Sequence, residues 1–490
     1  MKSNIQEKIN TATKWSIITE IIAKIFGPVS SIILARLLTP EAYGVVATVT
    51  MVIAFSNLFA DAGFQKYLLQ ATFTNTKEKF KAADVAFWTN LIISVSFFVF
   101  IYMFRFSLCK YLGNPGLELA LTIACLSIPI SSFSSLQNAL FKRNLDFKTL
   151  FNARVISLVI PLFITIPLAF YTRSYWALII GNLALSFIKA IFLYIKSDWK
   201  PSFYFNMTKL KEMFSFGIWV TFESILSWVS NYLDIFLIGI YLSPFYLGLY
   251  KTSTVLVAQV FTLITSAVIP VLTPSLSKFK RDRVSFDNLF FKYQKLLSIV
   301  SIPLGVIVYL NSKLITTTIL GPQWIEGADF IGIWALMYGF SLLFIQFKSA
   351  ALIAMGKPKY LVFGQIFYIL IFVPIIIISV KNGFKTLYIS RTLIRLVPIA
   401  TSIFFLTYII KMDAWRLLTN IFPALFSSFM MGLVLFVSNY YFGTSVLLLL
   451  INIFLSSIVY IVLIMLFKAE KLYIKHILIN EVYHKIKIWK

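Results

Sequence analysis

The stretch LLTPEAYG, Leu37 to Gly44, lies between two long apolar runs, and it is matched later in the chain by YLSPFYLG, Tyr241 to Gly248. When Gly44 is aligned with Gly248, the Leu and Pro positions also coincide and a Thr falls on a Ser. Proline fixes φ and lacks an N–H, so it suits the first turn of a helix that follows a tight connection. The match predicts the same helical hairpin in both halves of the chain.

The composition is that of a membrane protein. Of 490 residues, 59% are hydrophobic and 13% are charged, and the mean hydropathy is +0.86. Because the hydrocarbon core of a bilayer is about 30 Å thick, a crossing helix needs about 20 apolar residues. We predict an all-α polytopic membrane protein with about fourteen transmembrane helices, at residues 15–38, 43–65, 83–104, 117–140, 150–171, 174–195, 213–239, 246–274, 293–312, 328–354, 360–380, 386–410, 417–437 and 444–467.

Basic residues concentrate in every second connection between these helices. The other connections hold only Arg105, Lys110, Arg173, Lys313, Lys381 and Lys385. Since cytoplasmic loops are enriched in Lys and Arg, both termini are predicted to be cytoplasmic. The net charge of +25 lies in short loops beside membrane ends, so it favours anionic membrane lipids as partners and not nucleic acid.

The sequence offers little for catalysis or metal binding. His476 and His484 are the two histidines, and both lie in the basic C-terminal tail; Cys109 and Cys125 are too few for a metal cage, and a disulfide between them stays open. No glycine-rich phosphate loop and no long outer segment is present. We therefore expect no catalytic residue, no metal and no cofactor, and predict that the protein is not an enzyme.

Charged residues inside the predicted helices are costly in hydrocarbon, so they mark a cavity or a partner helix. Several basic residues lie near helix ends and can reach the headgroups. The deeper ones are Lys24, Arg391 and Arg395, with Lys348 intermediate, and the carboxylates are Glu20, Asp61, Glu223 and Asp234.

Helical spacing groups these residues into stripes. Glu20 and Lys24 share a face of the first helix, Asn57, Asp61 and Gln65 repeat every fourth residue in the second, and Arg391 and Arg395 share a face of the twelfth. A stripe on the seventh comprises Glu223, Ser227, Ser230, Asn231 and Asp234. Such stripes also serve as contacts between helices, but the charges favour a hydrated lumen.

The repeat predicts two parallel six-helix lobes around a central cavity. The predicted organisation is a cytoplasmic N-terminal tail, an N-lobe of helices 1–6, a C-lobe of helices 7–12, helices 13–14 and a basic cytoplasmic tail, at residues 1–14, 15–200, 201–410, 411–467 and 468–490.

Several blocks resemble the polysaccharide transporter, or oligosaccharide flippase, family of the multidrug/oligosaccharidyl-lipid/polysaccharide exporter superfamily. They are LARLLTPEAYG with DAGFQKYLLQ (61–70), LFKRNLDFKTL (140–150), DIFLIGIYLSPFYLGLY (234–250), IPVLTPSLSKFKRD (269–282), LGPQWIEGADF (320–330) and ALIAMGKPKY (351–360). LFKRNLDF is similar to the branch of colanic acid, capsule and O-antigen exporters.

The resemblance implies a flippase that moves a polyprenyl-pyrophosphate-linked oligosaccharide across the bacterial plasma membrane by alternating access, for assembly of a surface polysaccharide. It implies that Lys24, Lys348, Arg391 and Arg395 shield the pyrophosphate, and we expect Glu223, Ser227, Asn231 and Asp234 to bind sugar hydroxyls. Glu20, Asp61 and Glu223 are candidates for H⁺ or Na⁺ coupling. A polysaccharide polymerase and other assembly proteins are the implied protein partners.

Three alternatives stay open. A cation-coupled multidrug antiporter of the same superfamily would share the twelve-helix core. A polymerase or ligase would require a large outer loop, which the predicted helices do not leave. A scaffold for glycan enzymes would need no polar lumen.

Overall fold

The computed structural model describes Trp15, Ile22 and residues 26–442 and 445–467. Within these residues every regular element is helical. The helices are α1 (Phe26–Leu37), α2 (Pro40–Asp61), α3 (Phe64–Gln70), α4 (Thr76–Tyr111), α5 (Glu118–Cys125), α6 (Ser127–Arg143), α7 (Phe147–Ile160), α8 (Ile166–Thr172), α9 (Trp176–Lys196), α10 (Met207–Tyr241), α11 (Pro244–Lys278), α12 (Arg283–Leu310), α13 (Ser312–Ile319), α14 (Ala328–Ala354), α15 (Lys359–Lys381), α16 (Phe384–Leu393), α17 (Leu396–Phe404), α18 (Ala414–Thr419), α19 (Phe422–Phe442) and α20 (Val446–Leu466).

Thirteen helical segments among the described residues are long and apolar enough to cross a membrane. The prediction of an all-α polytopic membrane protein is confirmed. The first of the fourteen predicted spans, 15–38, is described mainly as α1, and the two predicted tails, with His476 and His484, lie outside the described residues.

Several predicted spans are interrupted, and two of the interruptions lie at predicted site residues. α2 ends at Asp61, four residues before the predicted end, because Ala62 and Gly63 adopt positive φ angles of 40° and 79°. The polar stripe predicted to continue to Gln65 therefore crosses from α2 to the short α3. The predicted twelfth span is divided into α16 and α17, with a π-helical turn after α17 at Phe405–Ile409.

The helices group into two compact units. Among the described residues, unit 1 includes those up to 252 and 372–387, and unit 2 includes 253–371 and those from 388 onward. The core of unit 1 packs α2, α4 and α6 with α5, α9 and α10, and it buries Phe64, Phe87 and Trp199 almost completely. Cys109 and Cys125 are buried in unit 1 as free thiols.

The two copies of the repeated turn pack directly against each other in unit 1. A Cβ at Gly44 would overlap the carbonyl oxygen of Pro244, and a Cβ at Gly248 would overlap the carbonyl oxygen of Pro40. Each turn thus supplies the glycine that admits the other turn's proline carbonyl. The repetition visible in the sequence is matched by a reciprocal backbone contact, which only glycine permits at this separation.

Unit 2 is built on the pair α12 and α14, with α19 packed along α12 and α20 packed on α19. Small residues bring α12 and α14 together: a Cβ at Gly305 would lie 3.1 Å from the Ala335 carbonyl oxygen, and one at Gly339 would lie 2.6 Å from that of Ser301. Close approach through small residues is typical of helix pairs in membranes. This packing fixes α14, which carries much of the candidate site.

Candidate functional site

The two deep arginines of the predicted twelfth span lie on either side of a helix break. Arg391 is in the last turn of α16, and Arg395 immediately precedes α17. Pro398 explains the break, because it has no N–H for the Ile394 carbonyl and its ring would clash with that carbonyl in a continuous helix. The chain instead makes a tight turn, in which the Arg395 N–H bonds to the Thr392 carbonyl at 3.1 Å.

Both guanidinium groups pack against α14, on an aromatic wall formed by Trp334 and Tyr338. The Cζ atoms of Arg391 and Arg395 lie 5.5 and 4.4 Å from the centre of the Trp334 ring, and that of Arg395 lies 4.2 Å from the Tyr338 ring. Trp334 is buried, with 3% of its surface exposed. Both arginines are partly buried, and a cation over an aromatic face is stabilised by about 0.5–2 kcal/mol, depending on its exposure. The wall therefore holds two positive charges at one place.

Hydroxyl groups orient the same arginines. Arg395 Nη1 donates to Ser341 Oγ at 2.5 Å, and Arg391 Nη1 donates to the hydroxyl of Tyr368 on α15. Trp334, Tyr338 and Ser341 follow one another at the spacing of a single helix face. Both of these partners are uncharged hydroxyl groups, and the two contacts position the guanidinium groups beside α14.

Lys348 continues this face of α14 two turns beyond Ser341, a rise of about 10 Å at 1.5 Å per residue. Its side chain is buried at 7% exposure. A Cβ at Gly364 of α15 would lie 3.9 Å from its Nζ and 3.0 Å from the Phe405 ring, so α15 passes close to the ammonium group and the glycine leaves room for the Phe405 ring. The three cations predicted for this half of the chain thus follow a single face of α14 in unit 2.

The stripe on α10 divides into an exposed part and a buried part. Glu223, Ser227 and Asn231 are exposed and lie one turn apart, and Asn231 Nδ2 donates to the carbonyl oxygen and Oγ of Ser227 at 2.7 and 3.3 Å. Asp234 is only 3% exposed and accepts a 2.5 Å hydrogen bond from the Tyr250 hydroxyl. The hydrogen bond of Asp234 joins α10 to α11.

The acidic residues proposed for ion coupling lie in different settings. Asp61 ends α2, where it accepts from the Gln65 N–H at 3.4 Å. Glu223 forms an ion pair with Lys66 at 3.1 Å, with 64% and 48% of the two side chains exposed. Glu20 and Lys24, and their predicted juxtaposition with the second helix, lie outside the described residues.

Sequence reasoning identified the cations but missed the groups that surround them. Trp334, Tyr338 and Tyr368 stand in apolar helices, where aromatic residues are common in any core or lipid-facing surface. It also placed Lys66 in a loop and did not pair it with Glu223. No group of three His, Cys, Asp or Glu that could hold a metal occurs within the described ranges.

Known proteins resemble the chain in sequence and in fold. Residues 33–329 match the model of a family described as "Polysaccharide biosynthesis protein". Teichuronic acid biosynthesis protein TuaB of Bacillus subtilis (strain 168) is 21% identical over 88% of this chain and 89% of its own length. Succinoglycan biosynthesis transport protein ExoT of Rhizobium meliloti (strain 1021) is 25% identical over 63% and 61%.

The fold resembles that of a solved transporter. The lipid II flippase MurJ, in an inward closed conformation, superposes with a TM-score of 0.74 over 94% of this chain and 100% of that one, at 15% identity. The blocks that suggested a polysaccharide exporter from the sequence fall largely within the matched region. The chain belongs to the polysaccharide biosynthesis protein family of multi-pass membrane proteins.

Proposed function

We propose that this protein is a flippase that moves a polyprenyl-pyrophosphate-linked oligosaccharide across the bacterial plasma membrane for surface polysaccharide synthesis. The observation that carries the proposal is the pair of guanidinium groups on the Trp334 and Tyr338 wall, in a chain of a polysaccharide biosynthesis family. ExoT, which is named a transport protein, and the MurJ fold support transport over enzymatic chemistry.

A pyrophosphate suits this site for chemical reasons. Arginine presents a planar fork of donors that binds phosphate oxygens in a bidentate manner, and hydrogen bonds between charged groups are about twice as strong as neutral ones. Lys348 would add a point charge farther along α14. The aromatic wall keeps the arginines in place when no anion is bound.

The sugar and coupling roles are assigned to α10 and to the carboxylates. In this proposal Glu223, Ser227 and Asn231 offer an exposed polar stripe to sugar hydroxyls. Asp234 supports that stripe from inside the fold, because it is buried and accepts a hydrogen bond from the buried Tyr250 hydroxyl. Asp61, Glu223 and Glu20 exchange H⁺ or Na⁺ during alternating access by two six-helix lobes. Both termini are cytoplasmic, and a polysaccharide polymerase and other assembly proteins receive the product.

The proposal is tested by a double substitution, R391Q/R395Q. Loss of a hydrogen bond to a charged group costs about 1.5–3 kcal/mol, so removing both should weaken pyrophosphate-lipid binding by at least about a hundredfold. Cells that carry this variant should accumulate lipid-linked oligosaccharide on the inner leaflet and lack surface polymer. R391K/R395K keeps both charges without the forks and should fall between the variant and the wild type.

The matched control is R105Q. Arg105 also packs on aromatic rings, at 4.3 Å from Tyr102 and 4.7 Å from Phe106, but it lies outside the site at the end of α4. It should transport normally. Wild-type surface polymer in cells that carry a folded R391Q/R395Q protein would refute the anion site. Transport of small cationic dyes by the purified protein, with no lipid-linked intermediate accumulating in deletion cells, would favour the multidrug antiporter.

A further inference from the structure

An apolar groove in unit 1 lies apart from the residues assigned above. It has a volume of about 500 Å³ and is formed by α4, α6 and α9 with the segment that follows α9. That volume is within the range of small-ligand sites. Its lining is almost wholly hydrophobic and includes exposed aromatic side chains. The lining residues are Phe87, Trp88, Leu91, Ile130, Phe133, Phe187, Ala190, Ile191, Tyr194, Pro201 and Phe203.

A strap, residues 197–203, contributes Pro201 and Phe203 to the lining of this groove and is held by a buried carboxylate. Asp84, 3% exposed, accepts hydrogen bonds from Trp199 Nε1 at 2.9 Å, from the Ser202 N–H at 3.0 Å and from Ser202 Oγ at 2.6 Å. Trp88 Nε1 in turn donates to the Ser202 carbonyl at 2.8 Å. A buried carboxylate with three donors fixes the strap in one position.

The strap places an aromatic side chain over the groove. Phe203 stacks on Trp88 with ring centres 5.0 Å apart, yet 96% of Phe203 is exposed. An exposed apolar side chain held by a rigid network offers a surface to an apolar ligand.

Two lysines lie beside the strap, which itself carries the exposed Asp198. Lys200 precedes the lining residue Pro201, and its Nζ lies 4.1 Å from the centre of the Tyr194 ring, which also lines the groove. Lys81 lies on α4 two turns before Trp88 and on the same face, with its Nζ 5.0 Å from the Tyr204 ring. Apolar walls with nearby lysines are complementary to a lipid, which has an apolar acyl chain and an anionic headgroup.

We propose that this groove binds an anionic phospholipid, with one acyl chain along the apolar walls and the phosphate between Lys81 and Lys200. This site does not depend on the proposed transport function, because none of its residues belongs to the arginine site or to the α10 stripe.

Native mass spectrometry of the purified full-length protein tests the proposal, with phosphatidylglycerol as the probe and phosphatidylcholine as the zwitterionic comparison. A lysine near an anionic headgroup contributes roughly a factor of five in affinity, so K81Q/K200Q should bind phosphatidylglycerol about ten- to thirtyfold more weakly. I191W leaves every charge in place but extends an indole from a lining position that is 43% exposed. It should weaken binding at least about fivefold.

K280Q/K359Q removes the same charge from unit 2 and should bind like the wild type. Equal losses in K280Q/K359Q and K81Q/K200Q would show nonspecific attraction and overturn the proposal. Unchanged binding by a folded I191W variant would exclude the groove as the site of the chain. Equal affinity for phosphatidylcholine, or complete displacement of phosphatidylglycerol by equimolar polyprenyl phosphate, would also overturn the assignment to an anionic phospholipid.

Discussion

Replacing either glycine of the paired turns by alanine should destabilise unit 1. The new methyl of G44A or G248A would overlap the carbonyl of Pro244 or Pro40. Ordinary contact between carbon and a heavy atom is about 3.5–4.0 Å, so the turns must separate by on the order of 1 Å or more. Overpacking of this kind costs about 1–3 kcal/mol, and we expect each variant to lose that much unfolding free energy.

The double variant distinguishes a shared contact from two independent ones. The two glycines belong to one interface, so the methyl of G44A already moves the turns apart. The added methyl of G248A then costs less unfolding free energy than it does in the wild type. The cost of G44A/G248A should therefore fall short of the sum of the single costs by about 0.5–2 kcal/mol. The measurement is reversible unfolding in mixed micelles, followed by tryptophan fluorescence as the fraction of denaturing detergent rises.

G27A is the matched control. Gly27 is helical and has no atom within 4 Å of the position of a Cβ, so alanine should be neutral or stabilising by up to about 1 kcal/mol. Additive costs for the two turn glycines, or a loss for G27A as large as for G248A, would refute the reciprocal contact as the source of stability.

Three further substitutions test the site and its surroundings. Y250F removes the hydroxyl that donates to buried Asp234, and we expect a loss of about 1.5–3 kcal/mol in the same unfolding assay. E223Q breaks an exposed ion pair with Lys66, so stability should change by less than about 1 kcal/mol, and a strong transport defect would then report its proposed role in substrate binding or ion coupling. P398A restores an N–H at the helix break and should weaken pyrophosphate-lipid binding with little effect on stability; unchanged binding would show that the break does not position Arg395.

The sequence alone was sufficient for the membrane class and most of the helices. Hydrocarbon thickness sets a length that each apolar run either reaches or does not, so the spans follow from local composition. It also identified Arg391 and Arg395, because a charge in an apolar helix is conspicuous. The break between them was missed, although Pro398 signals it, since proline inside membrane helices often bends the helix without dividing it.

Only the tertiary structure showed which residues of different helices contact each other. In the sequence, Trp334 and Tyr338 look like the aromatic residues of any apolar helix. They contact Arg391 and Arg395 only because α16 and α17 pack against the face of α14 that carries both rings. The repeated turn was visible in the sequence, but the packing of Gly248 against the Pro40 carbonyl was not. Helix formation in a membrane is governed by local hydrogen bonding and hydropathy, whereas contacts between distant helices depend on shape and close packing, which no single segment encodes.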